Sequence, residues 1–163
     1  MRKPVSITAD ETKAETYDRL SAEILSVLDG ETNDIARMAP IACLLHDAFP
    51  NRIWTGFYIA DPAKERELVV GPYQGTLGCL RIPFGRGVCG AAADTQRTQL
   101  VANVEDFPGH IACDSRSVSE IVVPVMREGA VIAVLDIDSD LPAQFDEVDR
   151  AALETLLGQV FPA

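Results

Sequence analysis

Two runs, Glu120 to Met126 and Ala130 to Ile137, stand on either side of Arg127-Glu128-Gly129. Short runs rich in valine and isoleucine, separated by a connection that ends in glycine, read as antiparallel strands joined by a three-residue turn in which Gly129 takes a positive φ. Earlier strand signals extend this hairpin into a sheet. Ile53 to Ile59 and Leu68-Val69-Val70 form a hairpin across a charged loop containing Pro62, and Cys79 to Ile82 and Gln99-Leu100-Val101 follow. Gly85 to Gly90 opens a short helix through Ala93. Helical periodicity brackets the strands: Tyr17, Leu20, Ile24 and Leu28 keep one face, with Gly30 placed to stop the run. A second series, Ile35, Met38, Ala42, Leu45 and Phe49, contains Pro40, which predicts a kink or a turn followed by a shorter helix. Cys43 and His46 belong to that segment. The last helix begins at Asp146, with Asp149 three positions on as an imperfect capping box, and Val148, Ala152, Leu156 and Val160 as its buried stripe. Helices, then mostly antiparallel strands, then a helix make an α+β domain.

At 163 residues, 47% hydrophobic and 24% charged, the chain fits one domain over 1–163. Its helices would occupy about 10–50, sheet and pocket about 52–139, and the last helix about 146–161. No run approaches the roughly 20 apolar residues of a membrane span, and Met1-Arg2-Lys3-Pro4 lacks a secretory signal's apolar stretch, so a cytoplasmic protein is expected. A net charge of −11 argues against nucleic acid, whose affinity comes from Lys and Arg neutralising phosphates. In a reducing compartment four cysteines are not a structural disulfide framework, and any disulfide should be transient.

Cys79, Cys89 and Cys113 fall in the middle third, and none has the spacing of a metal-clamping pair. Thiolates are strong nucleophiles, and an oxidised one needs a second thiol nearby to rescue it, although cysteine is also common core filler. His110 and Cys113 have a chelating spacing but lack a second pair, so no metal is expected. Gly85-Arg86-Gly87 lacks the spacing of a nucleotide fingerprint and reads as a tight turn. Asp136 and Asp138 share one face of a strand, and Glu120 starts the strand across the hairpin, so all three can face one pocket. On residues alone Asp136-Ile137-Asp138 equally reads as a strand end entering a polar turn, and Trp54, the single tryptophan, as core packing.

From Ile53 to Leu156 the chain resembles the free methionine-(R)-sulfoxide reductases, which are GAF-domain enzymes. The strings that carry the likeness are Trp54-Thr55-Gly56-Phe57-Tyr58, Gly71-Pro72-Tyr73-Gln74-Gly75, Arg81-Ile82-Pro83-Phe84-Gly85-Arg86-Gly87-Val88-Cys89-Gly90, Gly109-His110-Ile111-Ala112-Cys113-Asp114, Ser119-Glu120-Ile121-Val122 and Val134-Leu135-Asp136-Ile137-Asp138-Ser139. The resemblance implies a GAF fold: a central, mostly antiparallel sheet, N- and C-terminal helices packed on one face, and loops and short helices forming a pocket on the other. It implies reduction of free L-methionine-(R)-sulfoxide, with Cys113 as nucleophile and Cys79 as resolving thiol. The resulting disulfide would be reduced by thioredoxin, with Cys89 as a backup thiol. The acid would come from Glu120, Asp136 and Asp138, with Glu120 and Asp138 the candidates for the sulfoxide end, and whichever carboxylates do not give the proton would bind the substrate ammonium. Trp54 would wall the S-methyl group, where a sulfur–aromatic contact adds ~1 kcal/mol. No cofactor is implied, and the family suggests a homodimer. Gly78 before Cys79, the long Asp61 to Glu67 loop, Pro40 and Cys43 depart from the family pattern. Two other classes compete: a GAF sensory module that binds a small ligand without chemistry, and a peroxide-responsive thiol sensor.

Overall fold

The computed structural model describes residues 11–110 and 114–162. Helices α1 (Lys13–Val27) and α2 (Asp34–Ala48) precede strands β1 (Arg52–Ala60), β2 (Glu67–Gly75) and β3 (Arg81–Pro83). Helix α3 (Gly87–Thr95), strand β4 (Gln99–Val101), a 3-10 turn (Val104–Asp106), strands β5 (Ser119–Arg127) and β6 (Ala130–Ser139), and helix α4 (Glu147–Val160) follow. The sheet runs β3-β2-β1-β6-β5-β4 with every neighbouring pair antiparallel. Strand alternation sorts its side chains into two layers. Phe57, Ile121, Val123, Leu135 and Ile137 pack against α1, α2 and α4, whereas Trp54, Tyr58, Val122 and Val134 pack on the opposite face with Val88, Cys89 and Ala92 of α3. This is the α+β arrangement expected, with the long helices on one side and a loop-lined layer on the other.

The β5–β6 turn is tighter than the sequence suggested. Arg127 pairs with Ala130, leaving Glu128 (φ 51°) and Gly129 (φ 77°) as a two-residue connection. Two consecutive positive φ values match the right-handed twist of the flanking strands. The turn and a one-residue bulge, where the ladder shifts between Val125 and Met126, together set the register: Glu120 lies opposite Asp138, and Val122 opposite Asp136.

Helix α2 also differs from expectation, because it runs unbroken through Pro40. The missing N–H would have bonded the carbonyl of Ala36, and Ala36 is exposed, so water can take that carbonyl over while packing of Met38, Ile41 and Leu45 holds the helix. Ile35 is half exposed and lies off this buried face.

In α4 the capping box is complete, and the buried stripe is Asp149, Leu153, Leu156, Leu157 and Val160; Val148 is 41% exposed and Ala152 only partly buried. Asp149 sets this rotation. It is fully buried and accepts from Tyr17 Oη at 2.7 Å and Lys13 Nζ at 2.6 Å, with Arg52 Nη2 at 3.6 Å. A buried carboxylate needs such partners, and these tie α1, α4 and β1 together. No helix among the described residues is long and apolar enough to cross a membrane.

Candidate functional site

On the sheet face away from the long helices, Trp54, Tyr58, Asp136, Asp138 and Glu120 form the floor of a pocket. The 76–78 loop, the start of α3, His110, Asp114 and Ser117 form its walls. Period-two alternation delivers Trp54 and Tyr58 from β1 and Asp136 and Asp138 from β6 to the same side, and pairing of Trp54 with Asp138 brings the two strands' contributions together. Trp54 stacks between Tyr58 and Tyr73, each ring centroid 5.2 Å away. Close backbone packing allows this: a Cβ on Gly56 would lie 2.2 Å from the Cβ of Tyr73.

The three acids lie together, Glu120 and Asp136 buried and Asp138 partly buried. Glu120 and Asp136 are each 5% exposed, and the Sγ of Cys89 lies 4.0 Å from Glu120 Oε1. Ligand atoms of Cys89, Glu120 and Asp136 all fall within 4.8 Å of one another. Burial pushes Glu120 well above the usual carboxylate range, and the neighbouring Asp136 and Asp138 push it further; burial and Asp138 do the same to Asp136. Asp138 is pushed up to about 6, chiefly by burial, against the hydrogen bond that Ser117 Oγ donates to its Oδ1 at 2.5 Å. Three carboxyls so close in a dry site cannot all ionise at neutral pH, so the cluster holds a proton it can give. Burial, reinforced by Asp136 and Glu120, likewise raises the thiol of Cys89 and keeps it protonated. That suits a hydrogen-bonding wall better than a nucleophile.

Asp114 belongs to a different regime. Arg116 grips its carboxyl, Thr76 Oγ1 donates to Oδ2 at 2.7 Å, and the group is held well below the usual range. It stays ionised and ties the 76–78 loop to the segment before β5. His110 Nε2 stands 3.8 Å from Glu120 Oε2, with burial lowering its pKa.

The structure therefore gathers Trp54, Cys89, Glu120, Asp136 and Asp138 into one cavity. Cys113 lies outside the described residues, but His110 and Asp114, on either side of residues 111–113, both line the pocket. Cys79 precedes β3 rather than lying in a strand, because the ladder to β2 begins only at Arg81. It is disulfide-bonded, and its backbone N–H faces the Tyr58 hydroxyl. Cys43 and Cys89 are free thiols, and Cys43 is exposed, remote from the pocket's lining. Sequence reasoning missed Tyr58, Ser117 and His110 as site residues. Tyr58 carried a signal, since it lies four strand positions from Trp54 and so on the same face.

Residues 18–162 match the GAF domain family. The chain is 40% identical over 148 residues to the free methionine-R-sulfoxide reductase of Escherichia coli (strain K12), covering 91% of this chain and 88% of that protein. It is 47% identical over 146 residues to GAF domain-containing protein A of Dictyostelium discoideum, covering 90% of each. The X-ray structure of free methionine-R-sulfoxide reductase from Neisseria meningitidis in complex with its substrate superposes with a TM-score of 0.89 at 44% identity, over 97% of this chain and 93% of that one.

Proposed function

Because this chain belongs to the free methionine-R-sulfoxide reductases of the GAF domain family, we propose that it reduces free L-methionine-(R)-sulfoxide to methionine by thiol chemistry. The observation that carries the reading is the buried, proton-holding cluster of Glu120, Asp136 and Asp138 beside the indole of Trp54. An oxide leaving group must be protonated, and this cluster supplies an acid at neutral pH. An aromatic wall suits the S-methyl group.

In the proposed sequence the Cys113 thiolate attacks the sulfoxide sulfur while Glu120 or Asp138 protonates the oxygen. The oxygen passes to Cys113 as a sulfenic acid, methionine leaves, and the methionine sulfur has gained the electron pair that the cysteine sulfur lost. The Cys79 thiol then attacks the sulfenic sulfur, forming a Cys79–Cys113 disulfide and releasing water. Thioredoxin in the cytoplasm, through its own dithiol, returns both cysteines to thiols and becomes oxidised itself. Asp136 takes the substrate ammonium. The disulfide engagement of Cys79 beside the pocket and the placement of His110 and Asp114 in its wall support these assignments. The elevated thiol of Cys89 makes it the least suited of the three cysteines to nucleophilic work, so it serves as lining.

The test is turnover on separated R and S diastereomers, free and peptide-bound, by wild type and Cys113→Ser. Consumption of the free R form by wild type alone is expected. Turnover that survives in Cys113→Ser refutes the nucleophile, and absence of turnover in wild type favours a sensory module.

A further inference from the structure

The reaction gives two of the three mid-chain cysteines a step and leaves the third, Cys89, with none. We propose that Cys89, Glu120 and Asp136 form a binding site for a thiophilic divalent cation of the zinc class, which occupies the acids and so inhibits turnover. Binding stands on the side-chain cluster alone, whereas inhibition rests on the reductase reading above.

Spacing along the chain gives no sign of this site, because its members come from three elements: Cys89 from α3, Glu120 from β5 and Asp136 from β6. Folding brings one donor atom from each within 4.8 Å of the others, and the Sγ of Cys89 lies 4.0 Å from Glu120 Oε1. Zinc bonds thiolate sulfur at about 2.3 Å and carboxylate oxygen at about 2.0 Å, which sets sulfur and oxygen about 3.5 Å apart across a tetrahedral ion. The Cys89–Glu120 pair is therefore only about 0.5 Å too wide, and no donor pair needs to close by more than about 1.5 Å. The fourth position falls to water or to His110, whose Nε2 stands 3.8 Å from Glu120 Oε2.

A separate observation points to a ligand here. Asp136 Oδ1, on a residue 5% exposed, is a buried acceptor without a hydrogen-bond partner. Proteins otherwise satisfy such atoms, so this oxygen marks a place for a group that the chain does not itself supply. The substrate ammonium could take the oxygen, but it gives no reason for a sulfur in the group. Cys89 is 4% exposed, and its sulfur is turned to the acids instead of to the apolar side chains of α3. One soft sulfur with two carboxylates, and an imidazole close by, is the donor set of zinc; magnesium and calcium take oxygen alone. Binding exchanges protons for the cation: the Cys89 thiol releases its proton to water as the sulfur–metal bond forms, and no atom changes oxidation state.

The experiment titrates Co2+ into the oxidised protein, in which Cys79 is disulfide-bonded, carrying Cys43→Ser to remove the exposed free thiol. One equivalent per chain is expected to bind with a thiolate-to-cobalt charge-transfer band, and Zn2+ but not Mg2+ should displace it. Adding Cys89→Ser should abolish the band, and adding Glu120→Gln or Asp136→Asn should weaken binding at least about tenfold. Cys89→Ala stands in if serine disturbs the fold, which circular dichroism reports. Cobalt that binds without the sulfur band, a band that survives loss of Cys89, or displacement by Mg2+ as readily as by Zn2+ overturns the site. Turnover of L-methionine-(R)-sulfoxide with thioredoxin, free of chelating dithiols, is then followed against Zn2+ in wild type and Cys89→Ser. The variant should need at least about tenfold more Zn2+ for half inhibition, and equal sensitivity overturns the inhibitory role. If wild type turns over no sulfoxide while cobalt still binds through Cys89, the reductase reading fails and the cation site stands.

Discussion

Replacing Asp138 with asparagine is expected to make the ligand-free protein more stable at alkaline pH and no more stable near pH 4. Its carboxyl rises from an ordinary 3.8 to about 6 in the folded state, mainly through burial. The folded chain therefore holds that proton more tightly than the unfolded chain. As pH climbs through this window the unfolded state loses its proton first, so stability falls with rising pH, and above about 6 the full penalty is carried. At 1.36 kcal/mol for each pH unit, the penalty is about 3 kcal/mol. Asparagine keeps the oxygen that accepts from Ser117 Oγ and removes the charge. Relief of repulsion lets Glu120 and Asp136 ionise more readily, so the net gain at pH 8 should be about 1–3 kcal/mol, or a Tm higher by roughly 3–10 °C for a domain of this size. Thermal unfolding of reduced wild type and Asp138→Asn from pH 4.5 to 8.5, without substrate, reads this directly. A difference that is absent at pH 8, or constant across the range, refutes the idea that this carboxyl is ionised at a cost inside the pocket.

Cys79→Ser should release about one equivalent of methionine per chain and then stop with thioredoxin as the only reductant, because the sulfenic acid lacks its partner; continued turnover would remove Cys79 from the cycle. Gly56→Ala should destabilise the fold by at least about 3 kcal/mol, since its new methyl would meet the Cβ of Tyr73 at 2.2 Å and its Cα at 2.7 Å, and an alanine variant with wild-type Tm contradicts that packing.

What the sequence makes legible is whatever depends on period and local chemistry. The α1 face of Tyr17, Leu20 and Ile24 follows from 3.6-residue spacing, and the shared face of Asp136 and Asp138 from spacing of two. Adjacency of β5 and β6 follows from the hairpin, whereas the pairing of Glu120 with Asp138 depends on a shorter turn and on a bulge between Val125 and Met126 that the sequence pattern does not announce. Illegible features depend on partners far along the chain. The rotation of α4 answers to Tyr17, Lys13 and Arg52 around Asp149, and an apolar-stripe argument gives a buried aspartate no place. Continuity of α2 through Pro40 depends on whether one carbonyl can reach water. The strand expected at Cys79 starts two residues later, because the ladder to β2 pairs only Arg81, Ile82 and Pro83 with Val69, Leu68 and Glu67. Arg86 reads as part of a tight turn that opens a short helix; only the fold shows that this helix start lines the pocket.

Strand β6 places Leu135 and Ile137 under the helices and, between and after them, Asp136 and Asp138 in the pocket. Cohesion and reactivity are thus written on the two sides of one ribbon. Sliding that ribbon by a single residue would drive carboxyls into the oily layer and expose leucine to the substrate, so a chain that folds wrongly here has no intermediate form with weakened chemistry. Engineering of this pocket can exchange side chains position by position, but an insertion or deletion between the Glu128-Gly129 turn and Ser139 should cost the fold and the activity together.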